Sequence, residues 1–476
     1  CAQADVLPPH FDHLSVMAAS DATRLEEGLV EVRWMASGDL LCAVARTPDM
    51  RIAEVKQLVF QQAAVPVMDQ RLHLWGQELR GHALAPTSGA ALELVVAFDP
   101  RVTNLGHFRP TAQFEALPRG DFTVVRKLAS GNHGDVYSYR WHRQGSDECV
   151  AVKKLRNERV RQVSHTETDE RTLHLEPCPR APHPEDPLTE IGILVYLARQ
   201  PDLSQNLLQL HGVFADDDFT WLVTEFADGG ELFDVAAGEC IPEGQLQRYM
   251  FQLLRATSYL HGHFIGHRDI SLENALLKDG QVKLMDFGMS VRSHSTSGVP
   301  LRFYRAVGKE CYRAPEMYIP AVAKTRVVAP KNSKPGETVL ATLNPGYLCE
   351  VRLPASAAPG RPCVAELWGY AAQPVDVFAC AVCFFMMTWQ CPPWRMAMLS
   401  DALFTFIHSR GKGGVEALLK EWKRPLLSPQ AMDLLANMMM ADPAQRPSTA
   451  ACLASPWLAS MEEAMEIVNA EAGLAP

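Results

Sequence analysis

The sequence predicts an α+β protein in which a small β-rich module precedes a larger unit that begins with strands and ends with helices. The segments GLVEVRWM and LLCAVAR alternate apolar and polar residues around a Ser-Gly-Asp turn, which indicates a β-hairpin. The next stretch, MRIAEVKQLVFQQA, places Ile52, Val55, Leu58 and Val59 on one helical face. Much later, the run VFACAVCFFMMTW is almost wholly apolar, and we interpret it as a buried helix because it is shorter than the ~20 residues that span a bilayer.

Composition restricts the classes of partner and compartment. The 476 residues are 47% hydrophobic and 21% charged, with a net charge of −10, so charge favours neither nucleic acid nor an anionic membrane as a partner. The 12 cysteines lack the close, even spacing of a disulfide framework. We therefore expect a reducing, cytoplasmic compartment. Because the chain begins at Cys1 and not at methionine, the question of a targeting segment upstream stays open. Cys380 and Cys383 form a CxxC inside the apolar run, where buried core cysteines are favoured over a metal or redox site.

The N-terminal module has the ββαβ order of a compact domain. After residues 1–24, which show no periodicity and are expected to be disordered, the hairpin and helix are followed by the strands RLHLW and LELVVAF. The segment AEVKQLVFQQAAVPVMDQRLHLWGQEL resembles ubiquitin, which implies a ubiquitin-like β-grasp domain over residues 25–98. Two departures matter: the chain continues through Phe98-Asp99-Pro100 without a terminal Gly-Gly, and the centre of ubiquitin's apolar patch falls on His73. Two interpretations of this module remain open: it is a structural module, or it is a domain that docks a protein partner.

The remainder divides into a linker, a catalytic unit and a tail. Residues 99–121 show no clear period and form the predicted linker, residues 122–459 the catalytic unit, and residues 460–476 the tail. Two stretches inside the unit appear inserted. Residues 158–187 are polar and end Pro-rich, whereas residues 320–374 contain three Pro-Gly pairs around TVLATL and YLCEVRLP, which predicts a small β-hairpin.

A phosphate-binding loop is predicted at LASGNHGDVY, residues 128–137. The pattern is strand, glycine turn, strand, and then a third strand CVAVKKL that carries Lys153. Glycines let backbone N–H groups approach phosphate oxygens, and a lysine supplies a point charge, although ordinary turns use the same residues. The helix LTEIGILVYLAR carries Glu190 near its start. This glutamate is either a partner for Lys153 or a favourable acid in the first helical turn.

Two short segments supply the residues suited to phosphoryl transfer. In GHRDISLENALL, Asp269 is placed as the base that orients an attacking hydroxyl, and Asn274 follows five residues later. In LMDFGMS, Asp286 offers a carboxylate. Asn274 and Asp286 are hard oxygen ligands of the kind that Mg²⁺ prefers. Upstream, FTWLVTEFADGGELFD is an apolar strand that ends in an acidic Gly-Gly turn, as a hinge between two lobes would.

Taken together, HRD, Asn274, DFG and the AVK motif that ends in Lys153 resemble a eukaryotic protein kinase over about residues 122–459. The resemblance implies a bilobal fold with an N-lobe at 122–226 and a C-lobe at 227–459, ATP and Mg²⁺ as cofactors, and a Lys153–Glu190 pair. It also implies a gatekeeper and adenine pocket, and a glycine loop in which an alanine replaces the first glycine. The nucleotide-binding residues implied are Ala129, Gly131, Gly134, Val136, Ala151, Lys153, Thr224, Glu225, Ala227 and Leu276.

Other kinase markers follow the catalytic loop. YRAPE resembles the end of an activation segment, Asp376 matches the acid of the central C-lobe helix, and Arg446 matches the arginine that pairs with Glu316. Arg268, before the catalytic aspartate, implies a segment set by phosphorylation, since guanidinium pairs with phosphate. The cluster SHSTS at 293–297 is either the source of the hydroxyls or a polar loop.

The catalytic loop departs from the serine/threonine pattern at Ser271, where the family usually has a lysine. Lys309, in GKECYRAPE, stands where the family usually has threonine. We expect a spatial swap in which Lys309 returns the ammonium to the site. The alternative is that Lys309 points into solvent. Tyrosine kinases also lack the lysine, but their activation segment typically has a tryptophan before the APE region, and this one does not.

The sequence thus predicts an ATP- and Mg²⁺-dependent serine/threonine kinase that acts on proteins and has no membrane span. Glu231 and Glu273 match positions that contact arginines in basophilic kinases, which favours basic substrates. A pseudokinase scaffold that binds partners through the N-terminal domain and the 320–374 insertion is the main alternative. A small-molecule kinase is a second, disfavoured by the APE segment.

Overall fold

The structure, a computed structural model, describes the chain as two compact units, residues 1–99 and 100–476. The described residues are 29–34, 40–45, 47, 49–63, 70–75, 77–80, 82–86, 91–96, 114–118, 120–131, 133–143, 146–162, 175, 185–295 and 299–461. The predicted N-terminal segment, most of the stretch 158–187, the tail from residue 462 and the last two hydroxyls of SHSTS lie outside them.

The first unit is a five-stranded mixed sheet with one helix. The strand order is β2-β1-β5-β3-β4, with β1 parallel to β5 and the other pairs antiparallel. The helix buries Ile52, Val55 and Val59 against the sheet because they recur on one helical face. The elements are β1 (Leu29–Trp34), β2 (Leu40–Ala45), α1 (Ile52–Ala63), β3 (Gln70–Leu74), β4 (Gln77–Glu78) and β5 (Leu92–Val96).

The second unit begins with a six-stranded sheet in the order β6-β10-β11-β9-β8-β7. An aromatic cluster fills one face, with Phe122 stacked on Trp141 at 4.9 Å between ring centroids. β6 belongs to this sheet although it falls in the predicted linker, because it pairs with β10, about 100 residues further along the chain. The elements are β6 (Glu115–Ala116), β7 (Phe122–Ser130), β8 (Gly134–Arg143), β9 (Ser146–Arg156), α2 (Asn157–Gln162), α3 (Pro187–Leu197), β10 (Leu210–Ala215) and β11 (Phe219–Glu225).

The rest of the second unit is mainly helical, so the sheet-rich and helical lobes match the expected bilobal fold. Its core helix α6 contains the apolar run, and Cys380 and Cys383 are fully buried there, as predicted. Within the described ranges, α6 alone is long and apolar enough to cross a membrane, but 78% of it is buried inside the protein. The helices are α4 (Leu232–Ala237), α5 (Glu243–Gly262), α6 (Ala372–Trp389), α7 (Ala402–His408), α8 (Gly414–Glu421), α9 (Pro429–Met438) and α10 (Thr449–Leu453). Two short antiparallel strand pairs flank the catalytic loop: β12 (Ile265–Gly266) with β15 (Val291–Arg292), and the hairpin of β13 (Ala275–Lys278) with β14 (Gln281–Leu284).

The predicted hairpin at 320–374 is wrong in extent: the segment forms a four-stranded antiparallel sheet, here called the β-insert. Its order is β16-β19-β18-β17, and the hairpin predicted from TVLATL and YLCEVRLP supplies only β17 and β18. The outer pair joins β16 to β19 across the whole insertion, a non-local contact that alternation along the chain does not reveal. The strands are β16 (Lys324–Val328), β17 (Thr338–Leu343), β18 (Tyr347–Arg352) and β19 (Pro362–Leu367).

Candidate active site

Lys153 and Glu190 meet between the sheet and helix α3. Lys153 Nζ donates to Glu190 Oε2 at 2.7 Å. The helix starts where it does because Asp186 caps it by accepting from the Leu188 amide at 2.9 Å, and Pro187 follows at its first position. Burial alone would lower the pKa of Lys153, but the carboxylates of Glu190 and Asp286 raise it, so the ammonium stays charged at neutral pH.

The glycine loop joins β7 to β8. A Cβ on Gly134 would lie 1.9 Å from the Lys154 carbonyl oxygen, so only glycine fits there. The Gly131 amide donates to the Gly134 carbonyl at 2.9 Å and closes the turn. Ala129 stands opposite Val136 in the β7–β8 pair, directly after a shift of register between Lys127 and Ala129. The loop thus keeps a tight turn without the first glycine.

The predicted adenine pocket lines the hinge. Ala151 pairs with Thr224, and Val136 pairs with Lys153, so these side chains share one face of the sheet. Leu276 reaches the hinge side through its bridge to Glu231. Ala227, two residues beyond Glu225, lies half-buried where the hinge leaves β11.

Glu225 holds the hinge rather than facing solvent. Its backbone amide donates to the Gln209 carbonyl at 2.9 Å. A backbone hydrogen bond from Glu225 to the adenine ring therefore has to use the Glu225 carbonyl oxygen as acceptor. Its buried carboxylate lies 2.8 Å from Lys278 Nζ and 3.1 Å from Lys283 Nζ. Desolvation opposes ionisation, but these two lysines outweigh it and lower the pKa of Glu225.

Asp269 and Asn274 form the centre of the catalytic loop. The Asn274 Nδ2 donates to Asp269 Oδ2 at 3.0 Å and to the Asp269 carbonyl at 2.8 Å, which orients both side chains. Burial raises the pKa of Asp269, and the charges of Lys309 and His267 oppose that rise. Asp269 is therefore a more basic carboxylate than an exposed one.

The backbone around these residues is strained. Arg268 and Asp286 have φ angles of 64° and 63°, in the left-handed region that non-glycine residues rarely occupy. Asp376 stabilises the strained backbone at Arg268: its buried carboxylate accepts from the His267 amide at 2.8 Å and from the Arg268 amide at 2.7 Å. The strained backbone at Asp286 is followed by a local contact, in which Asp286 Oδ1 accepts from the Gly288 amide at 3.3 Å.

The donor set fits Mg²⁺. Asn274 uses its nitrogen on Asp269, so its Oδ1 is the atom that would bind the ion, and Asp286 adds a carboxylate. The negative charge of Asp286 raises the pKa values of Lys153 and Asp269, as expected of a carboxylate close to both. In this structure Asn274 Oδ1 accepts from Lys309 Nζ at 3.3 Å.

Lys309 directs its ammonium towards the catalytic loop, while 38% of its side chain stays exposed. Its Nζ donates to Ser271 Oγ at 2.6 Å and lies 4.0 Å from Asp269 Oδ2. Its amide donates to Asp269 Oδ1 at 3.2 Å. Gly308, with φ of 79°, makes this approach possible, because a Cβ there would lie 2.7 Å from the Arg268 carbonyl oxygen.

Glu231 and Glu273 lie near Lys309. Glu273 Oε2 is 3.9 Å from Lys309 Nζ and accepts from the Tyr312 hydroxyl at 3.2 Å. Desolvation, followed by the charges of Asp234 and Glu273, raises the pKa of Glu231. The two glutamates therefore belong to one acidic rim.

Glu316 and Arg446 form a fully buried, two-point ion pair. Arg446 Nη1 donates to Glu316 Oε1 at 2.5 Å and Nη2 donates to Oε2 at 2.7 Å. Arg446 also donates to the carbonyls of Met440 and Ala441. The pair ties the end of the activation segment to the segment before α10.

Sequence reasoning missed Glu185 and Tyr370. Glu185 Oε1 lies 3.9 Å from Lys153 Nζ, although the residue belongs to the stretch interpreted as an insertion. The adjacent capping residue carries it there, because the Asp186 amide donates to the Gly288 carbonyl at 2.8 Å. Tyr370 lies 102 residues from Arg268 and reaches its guanidinium. No spacing rule links either pair.

Comparison with known proteins agrees with this geometry. Residues 122–327 match the family model of the protein kinase domain. The CBL-interacting serine/threonine-protein kinase 15 of Arabidopsis thaliana is 26% identical over 353 residues, which is 74% of this chain and 64% of that protein. The CBL-interacting protein kinase 28 of Oryza sativa subsp. japonica is 32% identical over 197 residues, 41% of this chain and 39% of that protein.

A third relative is the calcium and calcium/calmodulin-dependent serine/threonine-protein kinase of Pisum sativum, 26% identical over 357 residues, 72% of this chain and 57% of that protein. The chain therefore spans less than two thirds of the length of each of these relatives. The two lobes, the catalytic loop and the family match lead to one conclusion: residues 122–327 match the protein kinase domain, and the chain is similar to serine/threonine kinases over 72–74% of its length.

Proposed function

We propose that this protein is an ATP- and Mg²⁺-dependent kinase that transfers phosphate to serine and threonine hydroxyls of other proteins. The observation that carries the proposal is the 2.7 Å contact between Lys153 and Glu190, which fixes an ammonium at the phosphate end of the nucleotide cleft. An intact pair of this kind favours an active enzyme over a pseudokinase scaffold.

The residues divide the work. Asp269, held by Asn274, accepts the proton of the attacking hydroxyl and aligns that oxygen with the transferred phosphorus. Lys153 holds the phosphates that leave, and Lys309 places a positive charge 4.0 Å from the base, where charge on the transferred group is stabilised. Mg²⁺, held by Asn274 and Asp286, would neutralise phosphate charge.

A transfer assay tests the proposal. The purified chain is incubated with radiolabelled ATP, Mg²⁺ and a library of serine- and threonine-containing peptides. We expect label on peptide with wild type and a loss of orders of magnitude with Asp269→Asn. Asp279→Asn is the matched control, because Asp279 lies in the exposed β13–β14 turn at φ 51°, a conformation that asparagine tolerates. If wild type binds ATP but transfers no phosphate to peptide, the proposed activity is wrong and the pseudokinase scaffold is the remaining alternative.

We also infer that residues 25–98 form a ubiquitin-like domain inside the cell. The mixed sheet with its parallel β1–β5 pair and single helix supports this, together with the resemblance in residues 53–79. An experimental structure of the full chain tests the fold. A sheet order other than β2-β1-β5-β3-β4 would contradict it.

A further inference from the structure

The β-insert holds the activation segment by its backbone. Phe303 lies in the segment between DFG and APE, and Tyr370 follows the last strand of the insert. The Phe303 amide donates to the Tyr370 carbonyl at 2.9 Å, and the Tyr370 amide donates back at 2.8 Å. These two residues form an antiparallel bridge, so the middle of the activation segment is paired like a strand.

Side chains on either side of Phe303 reinforce the contact. Arg302 Nη1 donates to Glu350 Oε2, on β18, at 2.7 Å, and both side chains are largely buried. The Tyr304 hydroxyl donates to the Leu367 carbonyl at 3.0 Å, and its ring belongs to the apolar core of the insert. Three consecutive residues of the segment therefore depend on the insert for their position.

Tyr370 connects this contact to the catalytic loop. Arg268 Nη1 donates to the Tyr370 hydroxyl at 3.2 Å, and that hydroxyl donates to the Arg305 carbonyl at 2.6 Å. Arg268 Nε donates to the Met289 carbonyl at 2.9 Å, and its guanidinium carbon lies 4.9 Å from the centre of the Phe303 ring. Tyr370 is 0% exposed and Arg268 7% exposed.

A phosphate on the activation segment would serve the same purpose by pairing with the Arg268 guanidinium and ordering the segment. Here the guanidinium already has buried partners from Tyr370, Met289 and Phe303. Residues 302–304 of the segment are thus held by Tyr370 and the β-insert, which lie beyond the segment in the chain, through contacts that need no phosphate.

We infer that Tyr370 is a positioning residue that, together with the β-insert, replaces activation-segment phosphorylation, so that phosphoryl transfer does not depend on a phosphate in residues 289–313. This deepens the proposed function and rests on it. Tyr370 acts through Arg268, which adjoins Asp269, and through the Phe303 bridge; it does not touch substrate.

The test uses the full chain after treatment with a broad-specificity protein phosphatase, with loss of phosphate verified by mass spectrometry before and after initial-rate assays. We expect the treated wild type to keep the full peptide-transfer rate. Tyr370→Phe, which removes one hydroxyl, should lower kcat on the order of tenfold while the KM for ATP stays unchanged. Tyr347→Phe, the same change elsewhere on the insert, should match wild type.

Hydrogen exchange gives a second readout that needs no activity. Peptides covering residues 301–305 should be protected in treated wild type and in Tyr347→Phe, and should exchange faster in Tyr370→Phe, while peptides from α6 stay unchanged. Loss of transfer on phosphatase treatment would overturn the inference, as would a Tyr370→Phe protein that matches wild type in both rate and exchange. If wild type transfers no phosphate in either state, the proposed function fails, and unprotected residues 301–305 would then overturn the positioning role separately.

Discussion

The ammonium of Lys309 donates to the hydroxyl of Ser271 at 2.6 Å, across 38 residues of chain. The serine that replaces the usual catalytic-loop lysine therefore has a lysine beside it. We expect Lys309→Ala to lower kcat by roughly 10²–10³, because a donor directed at transition-state charge contributes about 2–4 kcal/mol. ATP affinity should change little. Rates of peptide phosphorylation measure the effect, and Lys324→Ala, on an exposed ion pair of the β-insert, is the control.

A double variant sharpens that prediction. Lys309→Thr alone should be as poor as Lys309→Ala, whereas Ser271→Lys with Lys309→Thr should recover activity by placing the ammonium on the other residue. The recovery is non-additive because the two residues share one contact. Wild-type turnover by Lys309→Ala would mean that its ammonium has no catalytic part.

The pH profile should report Asp269. Burial raises its pKa above the ordinary value of about 4, and only the carboxylate can accept a proton, so kcat/KM should fall as pH decreases through that raised pKa. Lys309 lowers this pKa by its charge. Removing the charge in Lys309→Met should therefore move the acid limb to higher pH. A limb that stays in place or moves to lower pH would contradict the arrangement.

Glu185 should compete with nucleotide phosphates for Lys153. Its carboxylate lies 3.9 Å from Lys153 Nζ and both side chains are largely buried, so Glu185→Gln should tighten ATP binding by removing a negative charge that competes with the phosphates. Equilibrium binding of ATP measures the change, with Glu158→Gln on the exposed start of α2 as the control. Weaker binding would show instead that Glu185 supports the lysine.

The Glu316–Arg446 pair should matter for stability. Arg446→Met leaves a fully buried carboxylate without its partner, which should lower the free energy of unfolding by about 3–5 kcal/mol. Urea unfolding of the C-lobe measures it. Arg410→Met removes an exposed guanidinium and should stay within about 0.5 kcal/mol of wild type. An equal loss of unfolding free energy in Arg446→Met and Arg410→Met would show that burial of the Glu316–Arg446 pair does not set its contribution to stability.

Basic peptides should be preferred substrates. Glu231 and Glu273 share one rim, and an arginine N-terminal to the target hydroxyl would meet both charges. Glu231→Gln should reduce the preference for arginine on a peptide array, while Asp228→Asn, exposed in the hinge, should not. An array on which wild type shows no preference for arginine or lysine removes the idea.

Short-range patterns determined much of this protein. Alternation and helical spacing predicted the hairpin β1–β2, helix α1 and buried helix α6, because one buried face imposes its own period on the residues. The catalytic loop was equally clear: the spacing of HRD, Asn274 and DFG predicted it, and in the structure Asn274 Nδ2 donates to the Asp269 carbonyl at 2.8 Å.

The tertiary structure alone decided the contacts that span long stretches of chain. The β16–β19 pair, the approach of Glu185 to Lys153, and the contacts of Ser271 with Lys309 and Arg268 with Tyr370 all join residues with no spacing rule between them. Lys309 could have faced solvent on the same sequence pattern; the tight turn at Gly308 brings it to the catalytic loop instead. Such contacts follow from how separate elements pack, because local periodicity specifies which face is buried but not which distant residue covers it.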